Sequence, residues 1–563
     1  MLDEYLYVWI VLLAIAATVI HTAVRGRRAR REAMRRFEED YGKAPDKRQP
    51  VKKYQRDFHN FSGEEQPDPS AVDAITWNDL NMDAVYRRIN SCVSSIGEEV
   101  LYHQLHMLTA DEAVLRQRER LIHWMQNDAA NRKRLQSILL GIGKREYSFL
   151  SYYLFHAADK KLGQTRRYLL RGLLPLAGIL LMPVHLYAGA LVFIVSAGAN
   201  ILLFSATRNR LETEMETMQH LSALLQAAEK IDREFSDRLT DVGLSLKEPL
   251  QPFRRGRSLI PASAHAVTAE LEALTAIPRA VFLWDVIRYN RTIDRLIRFR
   301  AEVRQIFIRT GTLDAAISAA SFRDSLPVWC RPSFLTEHRV FFSAMIHPLL
   351  EEPVANSGEL ANDTIITGSN ASGKSTFIKT VAVNHILAQT LNTCTAKQYQ
   401  LCPSYVCSSM ALKDDLLAGE SYFIAEIKSL RRILDYTRER RCICLIDEIL
   451  RGTNTPERIA ASTAVLKALH ETDSLCLIAS HDIELTEILK NEYDAYHFRE
   501  SFTDGQISFD YKLKDGPSTT TNAIKLLEYM GFSNEIVEEA TRRVKHHAGN
   551  PQATAGAQQK GEV

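Results

Sequence analysis

The sequence predicts a chain in two parts, an α/β domain toward the C-terminal end and, before it, an α-helical domain interrupted by apolar stretches of membrane-spanning character. Three observations predict this. A glycine-rich turn at 368–376 stands between a β-rich run and a helix-compatible run, and two further apolar runs, at 442–446 and 474–479, end in acid or histidine. Upstream, helical periodicities surround two stretches that carry no formal charge.

The chain has 563 residues, of which 46% are hydrophobic and 25% charged, so a disordered or fibrous chain is excluded and several packed units fit the length. The formal net charge is only +2, so no global positive field argues for nucleic acid, and any such contact must be local. The eight cysteines lack the dense spacing of a disulfide scaffold, and with no histidine partners at ligand spacing, no zinc site is expected. Cys442 and Cys444 read as reduced residues of a buried strand.

Taking the elements in order, residues Leu6 to Val24 contain no Asp, Glu, Lys or Arg. As a helix they would reach about 28 Å, enough to cross a hydrocarbon core of about 30 Å. Seven arginines between 25 and 36 follow, which by the positive-inside tendency keeps the rest of the chain in the cytoplasm and the N-terminus outward. Residues 37–75 are polar and proline-bearing, as in a linker.

From Trp77 the pattern turns helical, with Asn78 or Asp79 as candidate caps for a segment over 82–107 whose apolar face is Val85, Ile89, Val93 and Ile96. The next charge-free stretch, 172–206, is too long for one span and has basic flanks, so it reads as a membrane hairpin with its apex near Pro183 or Gly189; a buried hairpin of a soluble core is the alternative. His21 and His185, within the apolar stretches, read as structural. Leu211, Met215, Met218, Leu221, Leu225, Ala228, Ile231 and Phe235 then mark a long amphipathic helix. A further helical tract over 278–308 bears Arg288, Arg291, Arg295, Arg298, Arg300 and Arg304, which suit phosphate or lipid headgroups or simply a solvated face.

The glycine-rich turn has the full spacing of a phosphate-binding loop: Gly368, Ser369, Asn370, Ala371, Ser372, Gly373, Lys374, Ser375 and Thr376. Glycines let backbone N–H groups face phosphate, Lys374 reaches the β and γ phosphates of ATP, and the Ser375 hydroxyl suits Mg2+. The strand candidate 442–446 ends at Asp447 and Glu448, one acid for the magnesium side and one to take a proton from water. The third strand candidate ends at Ser480 and His481, a position from which imidazole can sense the γ phosphate.

These words, with His347-Pro-Leu-Leu, the 414–426 segment, Asp447-Glu-Ile-Leu-Arg-Gly-Thr-Asn-Thr455 and Ala479-Ser-His-Asp, together resemble the MutS family of DNA mismatch-repair ATPases, within the ABC-type ATPase superfamily. The resemblance covers about Phe341 to Arg543 and implies a homodimer in which Ser421, in a signature segment, completes the partner's site in trans, with Glu426 supporting that segment. Weaker likeness upstream, at 94–105, 116–122 and 322–334, implies the family's helical core, here carrying the hairpin. The fold expected is therefore an ABC/MutS-type P-loop ATPase domain, preceded by a helical lever domain with an inserted transmembrane hairpin and an N-terminal transmembrane helix.

The implied domains are 1–36 (span and basic flank), 37–75 (linker), 76–340 (helical core with the hairpin at 172–206), 341–546 (ATPase) and 547–563 (tail). Because no mismatch-reading or connector domain is seen before the helical core, the expected function is a membrane-anchored ATPase, multi-pass in a bacterial cell membrane, acting on or near DNA through a basic helical surface without reading mismatches itself. A nucleotide-gated DNA-tethering module and a transporter component are the competing readings.

Overall fold

The computed structural model describes residues 21, 24–26, 28–45, 50–254, 276–369, 372–410, 422–503, 506–518 and 530–548. The expected N-terminal span lies almost wholly outside the described residues. The chain forms two compact units: the first is 1–71, 83–327 and 389–392, and the second is 72–82, 328–388 and 393–563. A short piece of the N-terminal sequence thus belongs with the C-terminal unit, which no single cut between the two parts anticipates.

In chain order the helices before the α/β unit are α1 (Lys53–Glu65), α2 (Ala74–Asp79), α3 (Met82–Ile89), α4 (Ser95–His106), α5 (Glu112–Asn127), α6 (Ala129–Leu139), α7 (Leu150–His156), α8 (Thr165–Leu181), α9 (Leu186–Asp241), α10 (Lys247–Arg254), α11 (Trp284–Arg298) and α12 (Arg300–Asp324). All but α2 build the helical unit. Its core is the contact of α4 with α12, which two glycines permit. A Cβ on Gly311 would meet Val100 Cγ2 at 2.4 Å, and one on Gly97 would meet the Asp314 carboxylate at 2.3 Å. Asp314, fully buried, accepts from the N–H groups of Val93 and Ser94 at 3.1 and 2.9 Å and so pins the break between α3 and α4.

Four local expectations are corrected. The stretch expected as a linker contains α1, whose Tyr54 and Phe58 are buried, with the Tyr54 hydroxyl donating to Glu98. The segment 82–107 is two helices rather than one, because Ser94 caps α4 by accepting from Gly97 N–H. Asp73, not Asn78 or Asp79, caps its local helix, accepting from Ile75 and Thr76. The arginine-bearing tract likewise divides, at Phe299, into α11 and α12.

Residues 165–241 form two antiparallel helices, α8 and α9, whose turn at 182–185 contains Pro183, while Gly189 lies inside α9. Glycine lets the pair close up, since a Cβ on Gly178 would meet Phe193 N at 2.7 Å and one on Gly189 would meet Met182 N at 2.6 Å. Pro175 inside α8 supplies no N–H, which leaves the Arg171 carbonyl without its helical donor. The Asn200 side-chain amide on α9 donates to that carbonyl at 3.0 Å. One described helix segment, Leu186–Arg208, is long and apolar enough to cross a membrane, with mean hydropathy 2.0 and 17% of its most apolar window buried. At 17 residues α8 is shorter than the roughly 20 that a full crossing takes. Beyond it, Leu211, Met218, Leu221, Leu225, Ala228, Ile231 and Phe235 of the expected stripe are buried, Met215 is only half-buried, and the helix kinks at Phe235 (φ −127°, ψ 15°).

The second unit is built on a six-stranded sheet. Its strands are β4 (Thr364–Thr367), β6 (Tyr405–Ser409), β7 (Cys442–Asp447), β8 (Ser474–Ser480), β9 (Asp494–His497) and β12 (Lys514–Asp515). Their order is β12-β9-β4-β8-β7-β6, all parallel except the β12 edge. Uninterrupted apolar runs such as Cys442–Ile446 are what a parallel sheet covered on both faces requires, and these residues are at most 1% exposed. A second sheet, in the order β1-β5-β2-β3, comprises β1 (Ser333–Phe334), β2 (Val340–Met345), β3 (Asn356–Leu360) and β5 (Gln398–Leu401). Strand β10 (Glu500–Thr503) pairs antiparallel with β11 (Gln506–Phe509), and residues 504–505 between them lie outside the described residues. Covering helices include α13 (Lys374–Leu391), α14 (Tyr422–Glu439) and α15 (Thr455–His470). The small α2 seals the β6 edge: Asp79 accepts from the Ser408 hydroxyl at 2.7 Å and from Met410 N–H at 3.1 Å.

Candidate nucleotide-binding site

Parallel strands bring their C-terminal ends to one edge, where an α/β sheet holds its ligand. Here β4, β7 and β8 are adjacent, so the loop after β4, the acids after β7 and the histidine after β8 converge although 113 positions separate Gly368 from His481.

After β4 the backbone takes the left-handed region at Gly368 (φ 144°) and Gly373 (φ 109°), and α13 begins at Lys374. A Cβ on Gly368 would strike Phe498 O at 2.8 Å, so only glycine lets this loop curl. Lys374 is 4% exposed and donates from Nζ to the carbonyls of Gly368 and Ser369 at 2.6 and 2.9 Å. Burial holds its ammonium below the usual lysine range, against the opposing pull of Glu448 and Asp447. The Ser369 hydroxyl donates to Glu500 at 3.0 Å. Ser375 and Thr376 line the cavity that opens beside the loop. Asn370, Ala371 and Ser421 lie outside the described residues.

At the end of β7, Asp447 is buried, and its Oδ1 has no hydrogen-bond partner among the described residues. The next residue, Glu448, adopts a left-handed φ of 60°, an unfavourable conformation for a side-chain-bearing residue, and its N–H donates to Ala479 O at 2.8 Å. That twist separates the two carboxylates. Glu448 Oε1 lies 2.9 Å from His481 Nε2, and Arg451 pairs with Oε2. Burial works against its charge, but His481 and Arg451 outweigh burial and hold the Glu448 carboxyl below the usual range. Leu450, also left-handed at φ 56°, presents its N–H to Glu426 of α14, which ties the signature-side helix to the acid turn.

The cavity has a volume of about 480 Å³ and runs from Lys374 and Glu448 to His347, Val354, Asn356 and Tyr511. Burial lowers His347 to about 4, so it lines the cavity as a neutral ring. Sequence reasoning assigned no role to Arg451, Glu500 or Tyr511. Arg451 stands three residues beyond Glu448, a spacing that could have flagged it. Glu500 and Tyr511 are brought in by the β10–β11 excursion, and no local spacing announces them.

The residues fit a magnesium nucleotide. An unpartnered buried carboxylate, a serine at the start of a helix, a lysine in a glycine-curled loop and a second acid across the cavity are the donor set that hard cations and phosphates require. Among the described residues no group of three or more His, Cys, Asp or Glu is placed to hold a metal ion.

Comparison with known proteins agrees. A family model, MutS domain V, matches residues 364–547. The DNA mismatch repair protein MutS of Thermus thermophilus is 31% identical over 218 residues, covering 38% of this chain and 26% of that protein. MutS of Lactobacillus acidophilus is 28% identical over 341 residues, covering 56% and 38%, and the DNA mismatch repair protein MutS 2 of Haloarcula marismortui is 27% identical over 323 residues, covering 52% and 34%. The chain therefore spans only between 26% and 38% of these relatives. With loop, paired acids and family match on one sheet, the chain carries a MutS-family ATPase domain, which uses ATP with Mg2+.

Proposed function

We propose that this chain is a membrane-anchored, MutS-like ATPase in which ATP binding and hydrolysis change the arrangement of a homodimer acting on or near DNA, without direct mismatch reading. The observation that carries the catalytic half is the placement of Asp447 and Glu448 at the end of β7, beside the loop that ends β4.

In this reading Lys374 leaves the carbonyls of Gly368 and Ser369 for the β and γ phosphates, and the loop N–H groups close on them. Ser375 and Asp447 would hold Mg2+, which supplies charge neutralisation on the phosphate oxygens. Glu448 accepts a proton from the attacking water, and its low pKa keeps it ionised for that task at neutral pH. His481 exchanges Glu448 for the γ phosphate and so reports whether the nucleotide is a triphosphate. Ser421 of one subunit completes the site of the other.

Support for the membrane half comes from the α8–α9 pair, whose outer face exposes Leu173, Leu180, Leu186, Leu191, Val195 and Leu202. With the charge-free stretch at 6–24, these helices would anchor the chain, its bulk on the arginine-flanked, cytoplasmic side of a bacterial membrane. DNA contact rests on the mismatch-repair relatives and on the arginines between 25 and 36.

The test is reconstitution of the purified full chain into phosphatidylcholine vesicles. Mg2+-dependent phosphate release together with resistance to alkaline carbonate extraction is expected. Loss of phosphate release in Lys374→Ala with retained insertion would support the separate assignments. Quantitative extraction by carbonate would remove the membrane half, and undiminished hydrolysis by Lys374→Ala would remove the catalytic half.

A further inference from the structure

Between α8 and α11 lies a cavity of about 790 Å³, within the range of small-molecule sites and apart from the nucleotide pocket. The two helices run antiparallel. A Cβ on Gly172 would meet Phe282 O at 2.6 Å at one end, and the Thr165 hydroxyl donates to Asp294 at 2.6 Å at the other. The groove is therefore graded along its length. Its end toward the hairpin turn is walled by Leu173, Leu176 and Trp284, of which Leu173 and Trp284 are 55% and 63% exposed. Toward the basic end of α8, the face of α11 continues with Arg288, Arg291 and Arg295, spaced three and four residues apart and hence stacked on one side.

The guanidinium groups of these arginines make no ion pair or hydrogen bond with another described residue. The acids nearby are engaged elsewhere: Asp294 by Lys161 and Thr165, and Asp285 by Arg279 at 2.7 Å. The groove thus offers three guanidinium forks with no hydrogen-bonded or ion-paired acid at one end, Asp285 acting on Arg288 only through space, and an apolar channel, open to the exposed hairpin leucines, at the other. A free phosphate or a nucleotide would use only the first feature. A diacyl phosphodiester uses both, since guanidinium matches phosphate bidentately and acyl chains suit leucine and tryptophan at the interfacial depth.

We propose that the groove between α8 and α11 binds an anionic phospholipid, its phosphate held by Arg288, Arg291 and Arg295 and its acyl chains lying along Leu173, Leu176 and Trp284. This rests on the membrane reading given above. It makes the arginine face of α11 a lipid site rather than a DNA surface.

The test uses the full chain in phosphatidylcholine vesicles doped with spin-labelled phosphatidylglycerol or spin-labelled phosphatidylcholine, reading the motionally restricted fraction by electron paramagnetic resonance. The wild type should restrict phosphatidylglycerol in preference. The triple variant Arg288→Gln, Arg291→Gln, Arg295→Gln should lose that preference by about fivefold or more, whereas Arg166→Gln, Arg167→Gln should retain it. Equal preference in wild type and triple variant, or equal loss in the control pair, would overturn the site. Release of the labelled lipid by inorganic phosphate would reassign it to a free anion, and release by a short DNA duplex would reassign it to nucleic acid. Failure of the protein to float with phosphatidylcholine vesicles would instead sink the membrane reading itself, and this proposal with it.

Discussion

His481 Nε2 stands 2.9 Å from Glu448 Oε1, so the residue at the end of β8 grips the acid at the end of β7 while Arg451 takes the acid's other oxygen. The proposed base is thus ionised and restrained by the group proposed to sense the γ phosphate. Exchange of that contact for a triphosphate is a direct way to couple nucleotide state to base release.

The pH dependence follows from the sign of the shift. Glu448 sits below its ordinary value of 4.5, so the stability of its charged form is present above that value and is lost as pH falls through the lower, folded one. The acid limb of kcat/KM for ATP should lie below the usual glutamate range in the wild type. In His481→Gln the limb should move to higher pH, whatever happens to the plateau, because one stabilising partner is gone. A pH–rate profile with an unmoved limb would show that His481 does not set the ionisation of Glu448.

Asn200 offers a test of the helix pair that does not depend on ATP. Its amide donates to the Arg171 carbonyl that Pro175 leaves unpaired, and to Val281 O at 2.8 Å. Leaving such a buried acceptor unsatisfied costs about 1–3 kcal/mol. Asn200→Leu should be destabilising by about that amount in detergent unfolding curves, and the cost should shrink in a Pro175→Ala background, where residue 175 regains an N–H for Arg171. Additive effects of the two substitutions would disconnect them.

Phe58 tests whether the polar stretch before the helical unit is structural. It is 1% exposed and stacks on Phe307 of α12 with centroids 5.0 Å apart. Phe58→Ala should cost about 3–5 kcal/mol of the unit's stability in urea titration, as large aromatic truncations in cores do. A change below about 1 kcal/mol would mean that α1 is an appendage.

What the sequence made legible, and what it concealed, divides along physical lines. The ends of β4, β7 and β8 were readable because fully buried parallel strands are written as continuous apolar runs, and a carboxylate or imidazole at such an end is seldom there for packing alone. Helix α1 was hidden because only Tyr54, Gln55 and Phe58 of its 13 residues are buried, too sparse a stripe to stand out between prolines. The break before α4 was hidden because its stabiliser, Asp314, is 220 residues from Ser94. Arg451 was within reach of a spacing argument. Tyr511 was not, since its place in the cavity depends on a chain excursion through β10 and β11.

Glu448 as the proton acceptor is the assignment on which the proposed catalysis rests. Single-turnover phosphate release by the full chain with saturating Mg-ATP should be slowed by about 10²–10⁴-fold in Glu448→Gln, with nucleotide still bound as tightly as in the wild type. Equal rates in the two proteins would contradict it.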